Sequence, residues 1–529
     1  MSKILNGLEA LEKLKNGAIK LSNCVKSTLG PKGKNTAIDK KYTTPLITND
    51  GVTIAREIEL DCPFENMGAS IVKESAVRSN DQAGDGTTTA CILTSAIIEE
   101  GFKNISAGAN PILIRKGIEK TTKAVVEELK KLSKPIENQN EIIQVATISS
   151  GSETIGKIIG DAIEMVGTNG IITIEESNTS QTYITRNNGY EYDRGFASPY
   201  MITNPTKMQA ELINPLILVV NKKINTLNEL IPILEQVIQT GKHLLIIADD
   251  IDNEPLASLV LNRVNGNLPI TLTKAPAFAD KRKQILEDIC TLTGSVLVSD
   301  ELGTTLSNIS LSDLGSAKSV IITKDKTTII DGNGSQEKLN ELKETIKEQL
   351  KNEVDSYTKD TLQTRLAKLS NGVAIINAGA SSELEIKELK LRIEDALSAT
   401  KSASEEGIVP GGGSTLLYIS NKLKDFPKSL SFEEEQIGAK ILLSALRSPI
   451  RQVAINSGYN PGEVEHIVSS KDDYTFGFDA LNGEYKNLLE SGIIDPTKVT
   501  RCALENSASV AATLLTTNTL ITEEKENKE

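Results

Sequence analysis

The stretch "QAGDGTTTA", Gln82 to Ala90, sets one acid, two glycines and three consecutive threonines between two segments of helical periodicity. Threonine and glycine are poor helix interiors, so the stretch reads as a junction, with "ACILTSAIIEEGF" opening a new helix behind it. The acid and the hydroxyls therefore lie at a helix N-terminus, where free backbone N–H groups and the helix dipole favour a phosphate. Gly86 lets the backbone come close, and Thr87, Thr88 and Thr89 add donors. Asp85 is the hard oxygen ligand that Mg²⁺ takes together with phosphate oxygens. The competing reading is a plain helix cap with Asp or Thr as N-cap.

Two further glycine-rich loops share this character. "TLGPKGKN", Thr28 to Asn35, is a tight turn after a helix and offers Thr28, Leu29, Gly30 and Pro31 to a base or phosphate; a helix stop is its other reading. "GIVPGGGST", Gly407 to Thr415, gives an unobstructed backbone at Gly411, Gly412 and Gly413 and leads straight into a helix, which a linker would not. Asp50 in "TNDGVT", Asp395 in "RIEDALSATKSASEEG" and Asp495 in "GIIDPTKV" supply acids of the kind that phosphoryl transfer to water requires, for metal binding and water orientation. Singly, each also reads as an ordinary solvated acid. Gly151 to Lys157 matches most of a Walker A loop, but Ile158 stands where Ser or Thr should ligate Mg²⁺ and no strand leads into it, so it reads as structural.

The remainder of the chain narrows the function classes. Its 529 residues exceed one ordinary core and predict two to four domains. A net charge of −13 and 3% aromatic residues argue against nucleic acid as a partner. No apolar run approaches the roughly 20 residues of a membrane span, and the N-terminal segment "MSKILNGLEALEKLKNGAIK" reads as an amphipathic helix rather than a signal peptide. Five scattered cysteines suit a reducing compartment, and a cytoplasmic location is expected. The two histidines, His243 and His466, form no ligand-spaced cluster.

Residues 1–131 and 406–515 share a helical style broken by glycine loops, with a charged tail expected to be disordered, while 190–370 alternates short buried strands ("LILVV", "HLLIIADD") with helices. The segment "QEKLNELKETIKEQLKNEVDSYTKDTLQTRLAKL" predicts one or two solvent-faced helices. The likeness of the two ends suggests a nested plan in which the middle is inserted into a domain built by both ends.

With these loops in view, the sequence resembles the group I chaperonins of the GroEL type almost end to end. "ITNDGVTIAREIEL", "GDGTTTA", "QVATIS", "DRGFASPY", "LLIIADDI", "KAPAFADKRK", "TTIIDG" and "RIEDALSATKSASEEGIVPGGG" stand in family order. The resemblance implies a multidomain α/β and α chaperonin fold: a mostly helical equatorial domain (1–131 and 406–529), a small α/β intermediate domain (132–187 and 374–405) and an α/β apical domain (188–373). It implies a protein-folding ATPase using ATP and Mg²⁺, with K⁺ as accompanying ion. Thr28, Leu29, Gly30, Pro31, Asp85, Gly86, Thr87, Thr88, Thr89, Gly412, Asp479, Ala480, Leu481 and Asp495 would contact the nucleotide. Asp85 would ligate Mg²⁺, and Asp50 and Asp395 would position or activate water. Asn49, Asp479 and Leu481 depart from the family pattern.

The same resemblance implies a client- and lid-binding face at Phe196, Ser198, Tyr200, Met201, Ile231, Leu234, Leu256, Val260, Leu261 and Asn262. It implies hinges at Gly189, Gly372, Pro135 and Gly407, and two stacked homo-oligomeric rings of seven subunits that act on unfolded polypeptides with a small GroES-type co-chaperonin. Subunits would meet through "LITEE" and a neighbour's "AIDKKYTTPLIT" hairpin. A group II chaperonin, a holdase that has lost hydrolysis and an unrelated small-molecule kinase are the rival readings; the presence of Asp50, Asp85 and Asp395 argues against the holdase.

Overall fold

The computed structural model describes residues 2–39, 45–167, 170–177, 179–205, 207–266, 268–300, 303–353 and 355–523. The chain forms two compact units, one of residues 1–161, 178–180 and 378–529, the other of residues 162–177 and 181–377.

The first unit is mostly helical. Its core is laid down by Gly7–Val25, Pro63–Ala83, Thr87–Ser106 and Pro111–Leu132 from the early chain and by Glu433–Ala445 and Thr497–Leu515 from the late chain. Leu14, Leu21, Leu93, Ile97, Ile118, Leu442, Leu504 and Leu514 meet in one apolar cluster, so neither half of the chain can bury its faces without the other. The N-terminal residues depart from the expected helix. Ser2–Asn6 is a strand, paired antiparallel with Thr519–Glu523 from Ser2 opposite Glu523 to Asn6 opposite Thr519. A partner more than 500 residues away leaves no mark on local periodicity, and the helix begins only at Gly7. Thr36–Ile38 and Leu46–Thr48 form a hairpin whose residues 40–44 lie outside the described residues.

The second unit is built on an eight-stranded mixed sheet. Leu216–Ile224, Leu244–Ile251 and Ile270–Lys274 run parallel, and Gly315–Ile322, Thr327–Gly332 and Gly189–Tyr192 continue the sheet antiparallel. The parallel strands are nearly continuous apolar runs because both faces are covered. Ile217, Val219, Leu245 and Ile247 point into one core, and Leu218, Val220, Leu244 and Ile246 into another. A smaller sheet orders Ile171–Glu176, Val373–Ala378 and Tyr183–Asn187. The charged segment forms two helices, Gln336–Asn352 and Ser356–Asn371, each started by a capping side chain, Ser335 and Asp355. No helix of the described residues is long and apolar enough to cross a membrane.

Candidate functional site

The "AGDGTTT" stretch joins two helices, and its glycines do separate jobs. Gly84 closes Pro63–Ala83 in the left-handed conformation at φ +72°, and Gly86, also left-handed, caps Thr87–Ser106. Asp85 is held between them, its carboxylate accepting the Gly86 N–H and facing the Ser149 hydroxyl at 3.5 Å. A Cβ on Gly84 would lie 2.1 Å from Ser398 Cβ, so the glycine is what lets the Glu383–Glu406 helix settle against the loop. That helix is tied down along its length. Arg392 donates twice to Ser150 O, the Ser402 hydroxyl donates to Ala83 O at 2.7 Å, and Glu406 takes a forked ion pair from Arg501.

This docking places Asp395 within the electrostatic reach of Asp50 and Asp85. Asp50 caps Gly51–Glu57, accepting N–H bonds from Val52 and Thr53 at 3.0 and 2.9 Å, so the residue expected to orient water also starts a helix. Asp495 arrives through the pairing of Ile408–Pro410 with Ile494–Pro496 and accepts the Gly412 N–H. A Cβ on Gly411 would stand 2.9 Å from Asp495 Oδ1, so the bare backbone there makes room for the acid.

Each of these carboxyls is hemmed in by protein atoms yet keeps a window onto solvent. Burial, then the charges of Asp50 and Asp85, raises Asp395 well above the usual carboxylate range. Burial, then the Asp85 charge, brings Asp495 to about 7 against the opposing Gly412 hydrogen bond. Asp85 is raised by burial and by Asp50 in spite of its bonds from Gly86 and Ser149.

Facing these acids are two helix N-termini, of Thr87–Ser106 and Ser414–Lys422, and a buried Thr87 hydroxyl with no hydrogen-bond partner. The Thr28 and Thr88 hydroxyls lie 3.4 Å apart, which brings the "TLGPKG" loop alongside "GDGTTT", with Thr89 one residue further along the same first turn. Leu29 packs on the cluster that contains Val453, Phe478 and Ala480. Acids on one side and N–H groups with an orphaned hydroxyl on the other suit a polyanion carried with a divalent cation. Among the described residues no group of three or more His, Cys, Asp or Glu is placed to hold a metal alone. That fits Mg²⁺, which takes one or two carboxylates and fills its octahedron with phosphate oxygens and water.

The model of the TCP-1/cpn60 chaperonin family matches residues 21–525. The chain belongs to that family. Its role is therefore that of a chaperonin, in a family whose members are ATPases that assemble into rings and bind other polypeptides.

In this chaperonin the residues expected to flank the base form a closed turn. Ala480 is buried and Leu481 is exposed, but the Asp479 carboxylate is turned inward. It accepts the N–H groups of Leu481 and Asn482 and the Asn482 amide, and pairs with Lys486 at 2.6 Å. Sequence reading missed Asn456, whose amide donates to Lys26 O and Leu29 O, both at 2.9 Å, and so fastens the "TLGPKG" loop. It also missed Ser149, Ser398 and Arg392, which meet the site from distant parts of the chain. The Walker-like Gly151 to Lys157 is a two-residue turn followed by the first turn of the Glu153–Val166 helix, with Gly151 as the left-handed cap of Gln139–Ser150.

The second unit of the chaperonin leaves several apolar side chains of two helices and a turn exposed. Ile231–Thr240 and Asn253–Val264 rest on the same core. Tyr200 (69% exposed), Leu261 (61%) and Ile231 (39%) stand in solvent, and Leu256 and Val260 are half-buried on the core. Met201 and Leu234, expected at the surface, are core residues: Met201 is fully buried, with its sulfur accepting the Leu272 N–H, and Leu234 fills space under its helix. Phe196 packs on the core of the opposite sheet face, Ser198 caps the Pro199–Met201 turn, and the Asn262 amide bonds back to Ser258 O. Ile238 (49%) and Val264 (60%) complete the exposed set. Their spacing, seven residues from Ile231 and three from Leu261, already puts them on the same helix faces.

Proposed function

We propose that this chain is the subunit of a group I chaperonin that hydrolyses ATP at the Asp85 site to drive protein folding in the cytoplasm. The observation that carries this is the convergence of Asp50, Asp85, Asp395 and Asp495 on two helix N-termini. Bound Mg²⁺ would neutralise charge on the phosphate oxygens, and Asp85 would hold it, with K⁺ accompanying the nucleotide. Thr87, Thr88, Thr89 and the Gly30 and Gly412 backbones would hold the phosphates. Leu29, Pro31, Ala480 and Leu481 would flank the base. Asp50 would orient the attacking water and Asp395 would accept its proton.

The segments 132–187 and 374–405 act in this reading as an intermediate domain, flexing at Pro135, Gly189, Gly372 and Gly407. The exposed face of the middle unit takes apolar segments of unfolded chains with little regard to sequence, and in turn a GroES-type lid. A group I assignment is supported by the closeness in sequence of Thr240 to Leu244 and of Val264 to Ile270, which leaves no length for an inserted lid segment at these two places. Rings of seven, stacked in pairs, would close through the Thr519–Glu523 strand and a neighbour's 36–48 hairpin.

The deciding experiment compares phosphate release by the unaltered chain and Asp395→Ala in Mg²⁺ and K⁺, with both sized by light scattering. The variant is expected to form the same large particles and bind ATP while hydrolysing it about 100-fold more slowly, the scale of a lost general base. Rings of the unaltered chain that hydrolyse nothing would mark a holdase. A small particle with undiminished hydrolysis in the variant would overturn the reading.

A further inference from the structure

The turn 479–483 borders the proposed nucleotide site. Phe478 O lies 3.9 Å from where a Gly412 Cβ would be, and Ala480 belongs to the cluster that receives Leu29. With phosphates at Asp85 and Gly412, this turn and Leu29 are the walls left for the base. The one charged side chain on the turn that could read a base edge is Asp479. A carboxylate offers about four acceptor positions. Those of Asp479 are taken by the N–H groups of Leu481 (3.0 Å) and Asn482 (3.2 Å), the Asn482 amide (2.8 Å) and the Lys486 ammonium (2.6 Å). The side chain is buried, and the Gly483 N–H closes the turn onto Asp479 O at 2.8 Å. A fifth donor, such as the exocyclic amine of adenine, finds no free lone pair.

We propose that Asp479 is a positioning residue: paired with Lys486, it locks the 479–483 turn into one wall of the base pocket, and it gives the base no hydrogen bond of its own. The pocket then grips the base through apolar surface at Leu29, Ala480 and Leu481. The acid is matched to Lys486 rather than to the nucleotide. This rests on the reading of the Asp85 site as an ATP site.

The test measures binding of Mg-ATP and Mg-GTP to the full chain by calorimetry, with the melting temperature of each variant recorded. Lys486→Met leaves a buried carboxylate unpaired, and Asp479→Asn turns an amide against an ammonium. Each is expected to weaken ATP and GTP by the same factor, about 5- to 10-fold, as a loosened turn would. The double variant Asp479→Asn/Lys486→Met keeps the acceptor for the backbone N–H groups and removes the ammonium, and an Asn482 amide turned to present its oxygen then accepts from the introduced amide, so affinity should recover to within about twofold. An Asp479→Asn variant that changes the ATP-to-GTP ratio while Lys486→Met binds both as the unaltered chain does would mean that Asp479 reads the base, and the proposal fails. Failure of the double variant to recover would also overturn it. An unaltered chain that binds neither nucleotide would remove the ATP-site reading itself, a separate outcome.

Discussion

Four carboxylates crowd around the Gly84–Thr87 loop of the first unit, whereas five apolar side chains stand in water along the helices and turn of the second. Both arrangements hold back stability that a partner can return, but in different currencies. Crowded acids and helix N-termini are directional: they suit one charge pattern at one separation, and their strength falls steeply with misplacement. Exposed apolar surface is non-directional, so it accepts many partners weakly and discriminates poorly. In the proposed reading, the chain keeps a selective site and a promiscuous one in separate compact units.

The comparison can be broken most severely at Gly84. A Val there meets Ser398 Cβ and must hold φ +72°, so Gly84→Val should displace the helix carrying Asp395 and lower ATP hydrolysis at least about 1,000-fold, close to loss of the base and its alignment together. Phosphate release, read beside a Gly84→Val/Ser398→Gly variant that partly recovers, checks this.

A smaller effect appears in stability against pH. The Asp495 carboxyl binds its proton more tightly in the fold, at about 7 against an ordinary 3.8. The folded state therefore holds a proton that the unfolded chain has lost, and stability falls as pH rises from about 4 to about 7. The displacement corresponds to at most about 4 kcal/mol from this group. Urea melts without Mg²⁺ should show that slope, and Asp495→Asn should flatten it.

The promiscuous face separates surface from core. Leu261→Ser with Val264→Ser should cut capture of a denatured client about 10-fold while changing stability by within about 0.5 kcal/mol per site. Met201→Ala, next in sequence to the exposed Tyr200 but inside the core, should instead cost about 2–5 kcal/mol on melting. Least of all, Ser402→Ala removes one hydroxyl bond to Ala83 O and should slow hydrolysis a few-fold, for a loss of about 1 kcal/mol in holding the helix.

How much of this was legible in the sequence depends on the range of the interactions. Asp85, Gly86 and Thr87 could be read directly, because helix capping is settled within a few residues. The break between Gln336–Asn352 and Ser356–Asn371 lies in the same range, marked by Asp355. Asp395 was only one acid among many until family resemblance singled it out, since its neighbours Asp50 and Asp85 lie more than 300 residues earlier. Asn456, Ser398 and the strand Ser2–Asn6 stayed hidden for the same reason: their partners are distant in sequence, and no local pattern encodes them. Met201 and Leu234 show the converse limit. An apolar residue on a helix or turn is equally at home facing a groove or a core, and only the packed sheet decides.

The pairing of Ser2–Asn6 with Thr519–Glu523 sets an order of events during translation. Ser2–Asn6 must wait, unpaired, until Thr519–Glu523, more than 500 residues later, has been made. Over that interval the uninterrupted stretch 181–377 has all its sheet neighbours to hand and can condense first. The helices of residues 7–132 meanwhile expose the faces that later close on 433–445 and 497–515. For much of its own synthesis, this chaperonin subunit therefore carries the kind of unburied apolar surface that favours aggregation.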